Sequence, residues 1–169
     1  LDLTSIESGQ RHRTLTSVDF LEVARQSVEN VRAEMERRNI SLQLDVPAGV
    51  VLDADRTEIE MIFNNLVSNA VKYNRDQGRV AVTVTESGDE VRVQVEDSGI
   101  GMTQEETQRL FSDFSRIKNE KTRNILGSGL GLSTLKKIVT LYGGEVTVKS
   151  RPDVGSTFTV TLRRNAKAA

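Results

Sequence analysis

The sequence lacks cysteine entirely and has a single histidine, His12, among its 169 residues. Without cysteine the chain cannot form a disulfide framework, a thiolate zinc site or a cysteine nucleophile. One histidine cannot make a zinc cluster by itself, and His12 lies in a predicted linker, so we interpret it as a surface residue. No apolar run approaches the roughly 18 residues that a membrane-spanning helix needs, and the first residues do not have the pattern that we would expect of a secretory leader.

An excess of one charge is also missing, because 23 basic residues nearly balance 24 acidic residues and leave a formal net charge of −1. This balance predicts neither nucleic-acid binding nor attraction to an anionic membrane. The hydrophobic share of 37% and the charged share of 28% favour a soluble, folded single domain with its own core. Leu1 is not a start methionine, so we expect a fragment of a longer protein. We predict a cytoplasmic location, with a parent that can still be membrane-anchored.

Apolar spacing divides the chain into helices and strands. It predicts helices over about 19–38, 55–73 and 131–142, a short helical piece near 104–110, and N-caps at Asp19 and Asp55. Alternation predicts an extended stretch over 14–18 and strands over 40–46, 80–85, 91–96, 146–148 and 157–162, with a hairpin around residue 88. Hairpin strands beside one-faced helices predict an α/β fold. We expect a two-layer sandwich with a mixed, mostly antiparallel sheet and helices packed on one face.

The domain boundaries follow from the same patterns. Residues 1–13 predict the tail of a helix, stopped near Gly9, and then a linker. We place one folded domain over 14–163 and a disordered tail over 164–169.

Three polar residues, Asn65, Asn69 and Lys72, lie within about 60° of each other on the predicted helix over 55–73, beside its apolar stripe. Asparagine is unfavourable inside a helix because its amide competes with the backbone. An amide oxygen suits Mg²⁺, and a lysine suits a phosphate. A solvated helix face with an ordinary lysine would carry the same residues, so these three alone leave both interpretations open.

A carboxylate, Asp97, ends the predicted strand over 91–96 and is followed by the turn Ser98-Gly99-Ile100-Gly101. A carboxylate at this place can accept a hydrogen bond from an exocyclic amine, and the glycines let a ring approach the backbone. A polar strand end with a glycine turn and no ligand is the alternative.

A second glycine cluster, Gly127-Ser128-Gly129-Leu130-Gly131-Leu132, precedes the predicted helix over 131–142. The free N–H groups and the dipole at a helix start favour an anion such as phosphate. The G-x-G-x-G spacing differs from the dinucleotide fingerprint G-x-G-x-x-G, and no strand precedes it, so a Rossmann site is not predicted. No G-x-x-x-x-G-K-[ST] motif occurs, which excludes a P-loop enzyme. A helix start without any ligand stays open.

The basic segment 112–128 separates that cluster from the short helix before it. A weakly patterned loop of this length is either a mobile lid over phosphates or a solvated connection. Arg116, which lies beside Phe111 and Phe114, is the candidate anchor of such a lid.

Taken in order, these segments resemble the ATP-binding catalytic domain of two-component sensor histidine kinases, in the GHKL superfamily. The segment Asn65-Leu66-x-x-Asn69-Ala70-x-Lys72-Tyr73 is similar to the N box, and Asp97-x-Gly99-x-Gly101 is similar to the G1 box. Phe111-x-x-Phe114-x-Arg116 is similar to the F box and Gly127-x-Gly129-Leu130-Gly131-Leu132 to the G2 box. Gly155-Ser156-Thr157-Phe158 is similar to the terminal glycine-threonine motif.

The resemblance implies a Bergerat-type fold that binds ATP or ADP with Mg²⁺. Asn69 would bind the metal, and Asn65 would help to position the metal and the triphosphate. Lys72 and Arg116 would contact phosphates, so that Asn65, Lys72 and Arg116 form the implied catalytic set.

The resemblance also implies how the base is held. Asp97 would receive the adenine amino group with support from Thr157 through water, and Tyr73 would line the base or ribose. The other implied binding residues belong to the G1 and G2 boxes: Gly99, Ile100, Gly101, Met102, Gly127, Ser128, Gly129, Leu130, Gly131 and Leu132.

The resemblance further implies transfer of the γ-phosphate to a histidine on a separate phosphoacceptor and dimerisation domain, and a response regulator downstream. Residues 1–13 are similar to the end of the dimerisation helix and its linker. His12 is followed by Arg13 rather than by an acidic residue, so the substrate histidine is expected outside this chain. We expect a monomer in isolation, a dimer in the parent, and no contact of this fragment with nucleic acid or membrane.

Three alternatives remain open. ATPases of the gyrase, Hsp90 and mismatch-repair kind carry a water-activating glutamate at the place of Asn65, which cannot act as a base. Glu58 and Glu60 are out of register with that place. A nucleotide-binding regulatory module without kinase activity, or an anti-sigma serine kinase, would keep the same motifs.

Overall fold

The computed structural model describes residues 12–110 and 130–164. The predicted helix tail before residue 12 and the end of the tail after residue 164 lie outside these ranges. The described elements are, in chain order, β1 (Leu15–Asp19), α1 (Phe20–Arg37), β2 (Ser41–Asp45), β3 (Val51–Asp55), α2 (Arg56–Lys72), β4 (Arg79–Ser87), β5 (Glu90–Asp97), α3 (Gln104–Gln108), α4 (Leu130–Leu141), β6 (Glu145–Arg151) and β7 (Gly155–Arg163). None of the described helices is both long and apolar enough to pass through a membrane.

Five strands form the main sheet in the order β2-β4-β5-β7-β6. β2 runs parallel to β4, and the other neighbouring strands are antiparallel. β1 and β3 form a separate two-stranded antiparallel ribbon. Alternate residues of three central strands are buried beneath the helices: Val80, Val82, Val84, Val91, Val93, Val95, Phe158, Val160 and Leu162. The predicted two-layer sandwich with a mixed, mostly antiparallel sheet is confirmed.

Helix α2 lies in the middle of the core because a broad stripe of its surface is apolar. Ile59, Ile62 and Phe63 are fully buried, and the helix packs against α1, α4 and the sheet. The ring of Phe63 meets that of Phe20 in α1 edge-on, with centroids 5.6 Å apart. Asp55 caps the helix by accepting a hydrogen bond from the backbone of Glu58. This packing leaves one border of α2 for polar residues.

One strand, β3, was not predicted. Its only apolar residues in the core are Leu52 and Ala54, which alternate with the exposed residues Val51 and Asp53, and such a short alternation is a weak pattern. Its pairing with β1 is a contact between distant parts of the chain that local spacing cannot reveal. The last two strands are also longer than predicted, since backbone pairing continues through polar residues that apolar alternation does not mark.

Candidate functional site

Helix α2 carries the first group of predicted site residues along the border of its buried stripe. Asn65 and Asn69 are half-buried one turn apart, and Lys72 is exposed in the last turn. The Nδ2 atom of Asn65 donates to the carbonyl oxygen of Met61 at 2.8 Å. Among the described residues, none hydrogen-bonds the side-chain amide of Asn69. The Nζ atom of Lys72 lies 5.9 Å from the ring centroid of Tyr73. The predicted amide face is therefore present, with one amide open to a ligand.

Asp97 is the half-buried last residue of β5, and its Oδ1 atom accepts a hydrogen bond from the backbone N–H of Gly99 at 2.8 Å. Burial raises the pKa of Asp97 to about 6, against the opposing effect of backbone hydrogen bonds from Gly99 and Ser156. Within residues 12–110 and 130–164, no lysine or arginine is among the causes that shift this pKa. A carboxylate held only by backbone donors keeps acceptor capacity for a ligand.

The turn after Asp97 packs against the end of α2. The backbone N–H of Ile100 donates to the carbonyl oxygen of Tyr73 at 3.0 Å. A Cβ atom on Gly99 would lie 2.2 Å from that same carbonyl oxygen, so any other residue would push the turn and the helix apart. The structure therefore brings Asp97, Gly99 and Tyr73 into one site.

Gly101 and Met102 attach the far end of the turn to β6 and β7. Gly101 has a φ of +66°, and a Cβ atom there would lie 1.8 Å from the carbonyl oxygen of Arg151. The position is both left-handed and crowded, which only glycine tolerates. The backbone N–H of Met102 donates to Oγ of Ser150 at 2.8 Å, and that Oγ lies 2.7 Å from Oγ of Ser156.

The strand register corrects the predicted pairing of Thr157 with Asp97. Asp97 lies opposite Ser156, whereas Thr157 lies opposite Glu96. Opposite residues share a face of the sheet and successive residues alternate, so Thr157 is on the other face from Asp97. Ser156, which is buried, shares the face of Asp97. The motif Gly155-Ser156-Thr157-Phe158 holds two adjacent hydroxyl residues, and only the register separates them.

The predicted lid over 112–128 lies outside the described residues. So do the F box and most of the G2 box, with the predicted site residues Phe111, Phe114, Arg116, Gly127, Ser128 and Gly129. Helix α4 begins at Leu130, directly after the G2 glycines, and its backbone includes Gly131. Leu132 is half-buried. The roles of all these residues in phosphate binding stay predictions.

A buried charged cluster at the other end of α2 was not predicted. Glu58 is 1% exposed, and Arg13 donates to it from Nε at 2.8 Å and from Nη2 at 2.9 Å. Oη of Tyr142 donates to Glu58 at 2.5 Å, and the Arg13 guanidinium carbon lies 5.3 Å from the Tyr142 ring centroid. The Glu58 hydrogen bond raises the pKa of Arg13, and burial raises the pKa of Tyr142. The contacts of Glu58 with Arg13 and Tyr142 join residues that are 45 and 84 positions apart in the sequence, so no local sequence pattern predicts them.

An open groove of about 350 Å³ lies between α1 and α2 and shares only Asn65 with the predicted site. Its described lining is uncharged and includes Ser27, Asn30 and Asn64, which are joined by hydrogen bonds from Ser27 and Asn30 to the Asn64 oxygen. A charged ligand such as a nucleotide binds where the protein offers groups of opposite charge or several aligned hydrogen-bond donors, and this described lining offers no charged group. The groove therefore does not compete with the Asp97 turn as a nucleotide site.

The sandwich fold, with a carboxylate turn docked on the end of an amide-bearing helix, defines an ATP-binding domain of the GHKL class. The chain belongs to the histidine kinase-, DNA gyrase B- and HSP90-like ATPase family, whose model matches residues 54–166. It is similar to the circadian input-output histidine kinase CikA of Synechococcus elongatus, with 35% identity over 165 residues. That alignment covers 96% of this chain but only 22% of the relative's length.

Two solved structures share the fold. The catalytic domain of histidine kinase ThkA in a nucleotide-free form has a TM-score of 0.78 and 27% identity, over 89% of this chain and 96% of that one. Full-length ShkA in complex with AMPPNP has a TM-score of 0.82 and 25% identity, over 98% of this chain and 34% of that one. The resemblance to sensor histidine kinases is thus confirmed, and the chain is a domain of the histidine-kinase ATPase type.

Proposed function

We propose that the chain is the catalytic domain of a sensor histidine kinase, which binds Mg²⁺ and ATP and presents the γ-phosphate to a histidine on a separate phosphoacceptor and dimerisation domain. A response regulator would receive the phosphoryl group afterwards. Phosphoryl transfer needs positioning and charge neutralisation more than covalent chemistry from the protein. The single histidine, His12, is exposed and is followed by Arg13, which supports an acceptor outside this chain.

The observation that carries this proposal is the state of Asp97. Its half-buried carboxylate has a raised pKa, accepts only backbone donors among the described residues, and sits on a glycine turn beside Tyr73. The amino group of adenine would supply the missing donor, and Tyr73 would line the base or ribose. Ser156, on the same face of the sheet, takes the supporting role that was predicted for Thr157.

The same site fits a magnesium ion that is held largely by phosphate. Asn69 offers a half-buried amide oxygen one turn from Asn65. Mg²⁺ bound to nucleotides keeps water and phosphate oxygens as ligands, and therefore needs few protein groups. Asn69 would hold the ion and Asn65 would orient the triphosphate beside it, while the ion neutralises charge on the phosphates. Lys72, Arg116 and the G2 backbone would contact the phosphates as well.

The positions of two glutamates argue against a water-activating ATPase. Glu58 is buried in its cluster with Arg13, and Glu60 forms an ion pair with Arg56 on the helix surface. Asn65 occupies the place of the catalytic glutamate, and its amide is engaged with the backbone of its own helix. No base for hydrolysis is supplied by these residues, which favours transfer to an external histidine.

Isothermal titration calorimetry with Mg·ADP tests nucleotide binding directly. We expect saturable binding that weakens in EDTA, because Asn69 contributes through the metal. A matched titration with Mg·GDP should show weaker binding, since the keto oxygen of guanine would face the Asp97 carboxylate. No detectable heat and no competition with a labelled nucleotide would refute the site.

Labelling with γ-labelled ATP tests the transfer step. The chain alone should gain no label on histidine, and label should appear on the phosphoacceptor domain of the parent when the two are mixed. Label on His12 would contradict the external acceptor. Normal ADP binding with no label on either partner would favour the regulatory module instead.

A further inference from the structure

Arg75, three residues beyond α2, joins three backbone segments around the glycine turn. Its Nε atom donates to the carbonyl oxygen of Ser98 at 2.7 Å. Its Nη2 atom donates to the carbonyl oxygens of Gly99 at 2.9 Å and Asp153 at 2.6 Å. The end of α2, the turn after Asp97 and the β6–β7 turn thus share one guanidinium group.

Ser98 is also tied to the start of β4, since its backbone N–H donates to the carbonyl oxygen of Arg79 and its Oγ accepts from the backbone N–H of Arg79. The rest of the turn is held by backbone contacts. The backbone N–H of Ile100 donates to Tyr73, and the carbonyl oxygen of Ile100 accepts from the backbone of Asp153 at 2.7 Å. The Gly99 N–H donates to Asp97, so Gly99 is held by the carboxylate on one side and by Arg75 on the other. Moving the carbonyl of Gly99 would therefore move the donor that orients Asp97.

We infer that Arg75 is a positioning residue for base recognition: it clamps the Ser98–Gly99 backbone so that the Asp97 carboxylate is held in place for the amino group of adenine. This inference rests on the proposed nucleotide function. Within the part of the chain that the structure describes, the Arg75 side chain bonds the carbonyl oxygens of Ser98, Gly99 and Asp153 but not the Asp97 carboxylate, so it acts through the backbone.

A planar guanidinium suits this task because its fixed fork of donors reaches several carbonyl oxygens at once. Lysine would keep the charge but would present a single ammonium group to the same three carbonyls. The two changes Arg75→Met and Arg75→Lys therefore separate the clamp from a general effect of positive charge. Arg32→Met is the matched control, since Arg32 is an exposed arginine on α1 that forms an ion pair with its neighbour Glu29 on the helix surface.

The first test measures Mg·ADP and Mg·GDP affinities of these variants. Both Arg75 variants should bind ADP roughly tenfold more weakly, the equivalent of losing about one hydrogen bond to a charged group. Their GDP affinity and melting temperature should stay close to those of the wild type and of Arg32→Met. Equal losses for both nucleotides, or wild-type ADP affinity in Arg75→Lys, would overturn the inference.

The second test is independent of nucleotide. Amide hydrogen exchange in the ligand-free protein should become at least tenfold faster at Gly99 in Arg75→Met, because the hydrogen bond to Asp97 opens more often. The amide of Val82 in the sheet centre should not change. Unchanged exchange at Gly99 would overturn the clamp, whereas absence of ADP binding by the wild type would overturn the proposed function alone.

Discussion

A carboxylate lies at each end of helix α2, the fully buried Glu58 in its first turn and the half-buried Asp97 of β5 beside its last turn, and the two have different partners. At the start of the helix, Glu58 receives a bidentate arginine and a tyrosine hydroxyl from distant parts of the chain. Beyond its end, Asp97 receives only backbone N–H groups among the described residues, and burial raises its pKa to about 6. Glu58 is bound by side chains of its own chain and therefore has a role in the fold. Asp97 has room for a further hydrogen-bond donor and is therefore available to a ligand.

The cluster around Glu58 has a structural role. Arg13 precedes β1 and is held to the core by Glu58 and Tyr142, while the backbone of Thr14 donates to the Asp55 carboxylate. The segment that leads into the domain is therefore fixed to the start of α2 and to Tyr142, the residue after α4. The turn after Asp97, by contrast, is held by close packing of its glycines and by hydrogen bonds to backbone carbonyl oxygens. These contacts leave room for a ligand beside Asp97.

The largest effect is expected from Arg13→Met, which leaves Glu58 buried without its cation. We expect a loss of about 3–5 kcal/mol in the free energy of unfolding, because a buried pair broken on one side is strongly destabilising. Denaturant unfolding measures it, with Arg32→Met as a control that should change little. The double variant Arg13→Met/Glu58→Met should recover much of the loss. A loss below about 1 kcal/mol for Arg13→Met would show that the cluster is no more than a surface ion pair.

Gly101→Ala tests whether the Asp97 turn depends on close packing. Gly88 has a similar φ, +61° against +66°, but a Cβ there would meet nothing within 4 Å. The loss of stability in Gly88→Ala therefore measures backbone strain alone. In Gly101→Ala the new Cβ atom also clashes with the carbonyl oxygen of Arg151. We expect Gly101→Ala to cost about 1–3 kcal/mol more in unfolding free energy than Gly88→Ala. Equal costs would mean that the turn relaxes freely.

Asp97→Asn should weaken Mg·ADP binding by about 1–3 kcal/mol. The NH2 group of the asparagine can face the amino group of adenine, and two hydrogen-bond donors that face each other are both left unpaired. Calorimetric titration gives the affinity, and thermal melting shows whether the fold is intact. Wild-type ADP affinity in this variant would remove Asp97 from base recognition.

A smaller effect concerns stability without nucleotide. The folded pKa of Asp97 is raised from 3.8 to about 6, so the folded protein disfavours the ionised form. The contribution of Asp97 to stability is therefore complete below about pH 4 and is lost as the pH rises through about 6. Asp97→Asn should gain roughly 1 kcal/mol on the wild type between these limits, since solvent at the half-buried carboxyl reduces the full effect. A difference that stays constant with pH would contradict this.

The local parts of this picture could be predicted from the sequence. Apolar spacing located α2, and the order of Asn69, Asp97 and the glycines indicated the site. Register and long-range contacts could not be predicted: Thr157 was assigned to Asp97 from the resemblance, and the pairing of β5 with β7 shows that Ser156 shares the face of Asp97 instead. Glu58, Arg13 and Arg75 were missed for the same physical reason, since their partners lie far away in the sequence. Asp97, for which we propose a ligand as the further partner, is marked in the sequence by its glycine turn.

A direct measurement of the Asp97 pKa tests the central claim. Carboxyl ¹³C NMR across a pH titration, with Asp97→Asn to assign the signal, follows this group in the free protein and with Mg·ADP. We expect the Asp97 titration to have a midpoint near pH 6 in the free protein and a lower midpoint with nucleotide, because the adenine amino group would stabilise the ionised form. A midpoint near the ordinary value of about 3.9 that nucleotide leaves unchanged would contradict it.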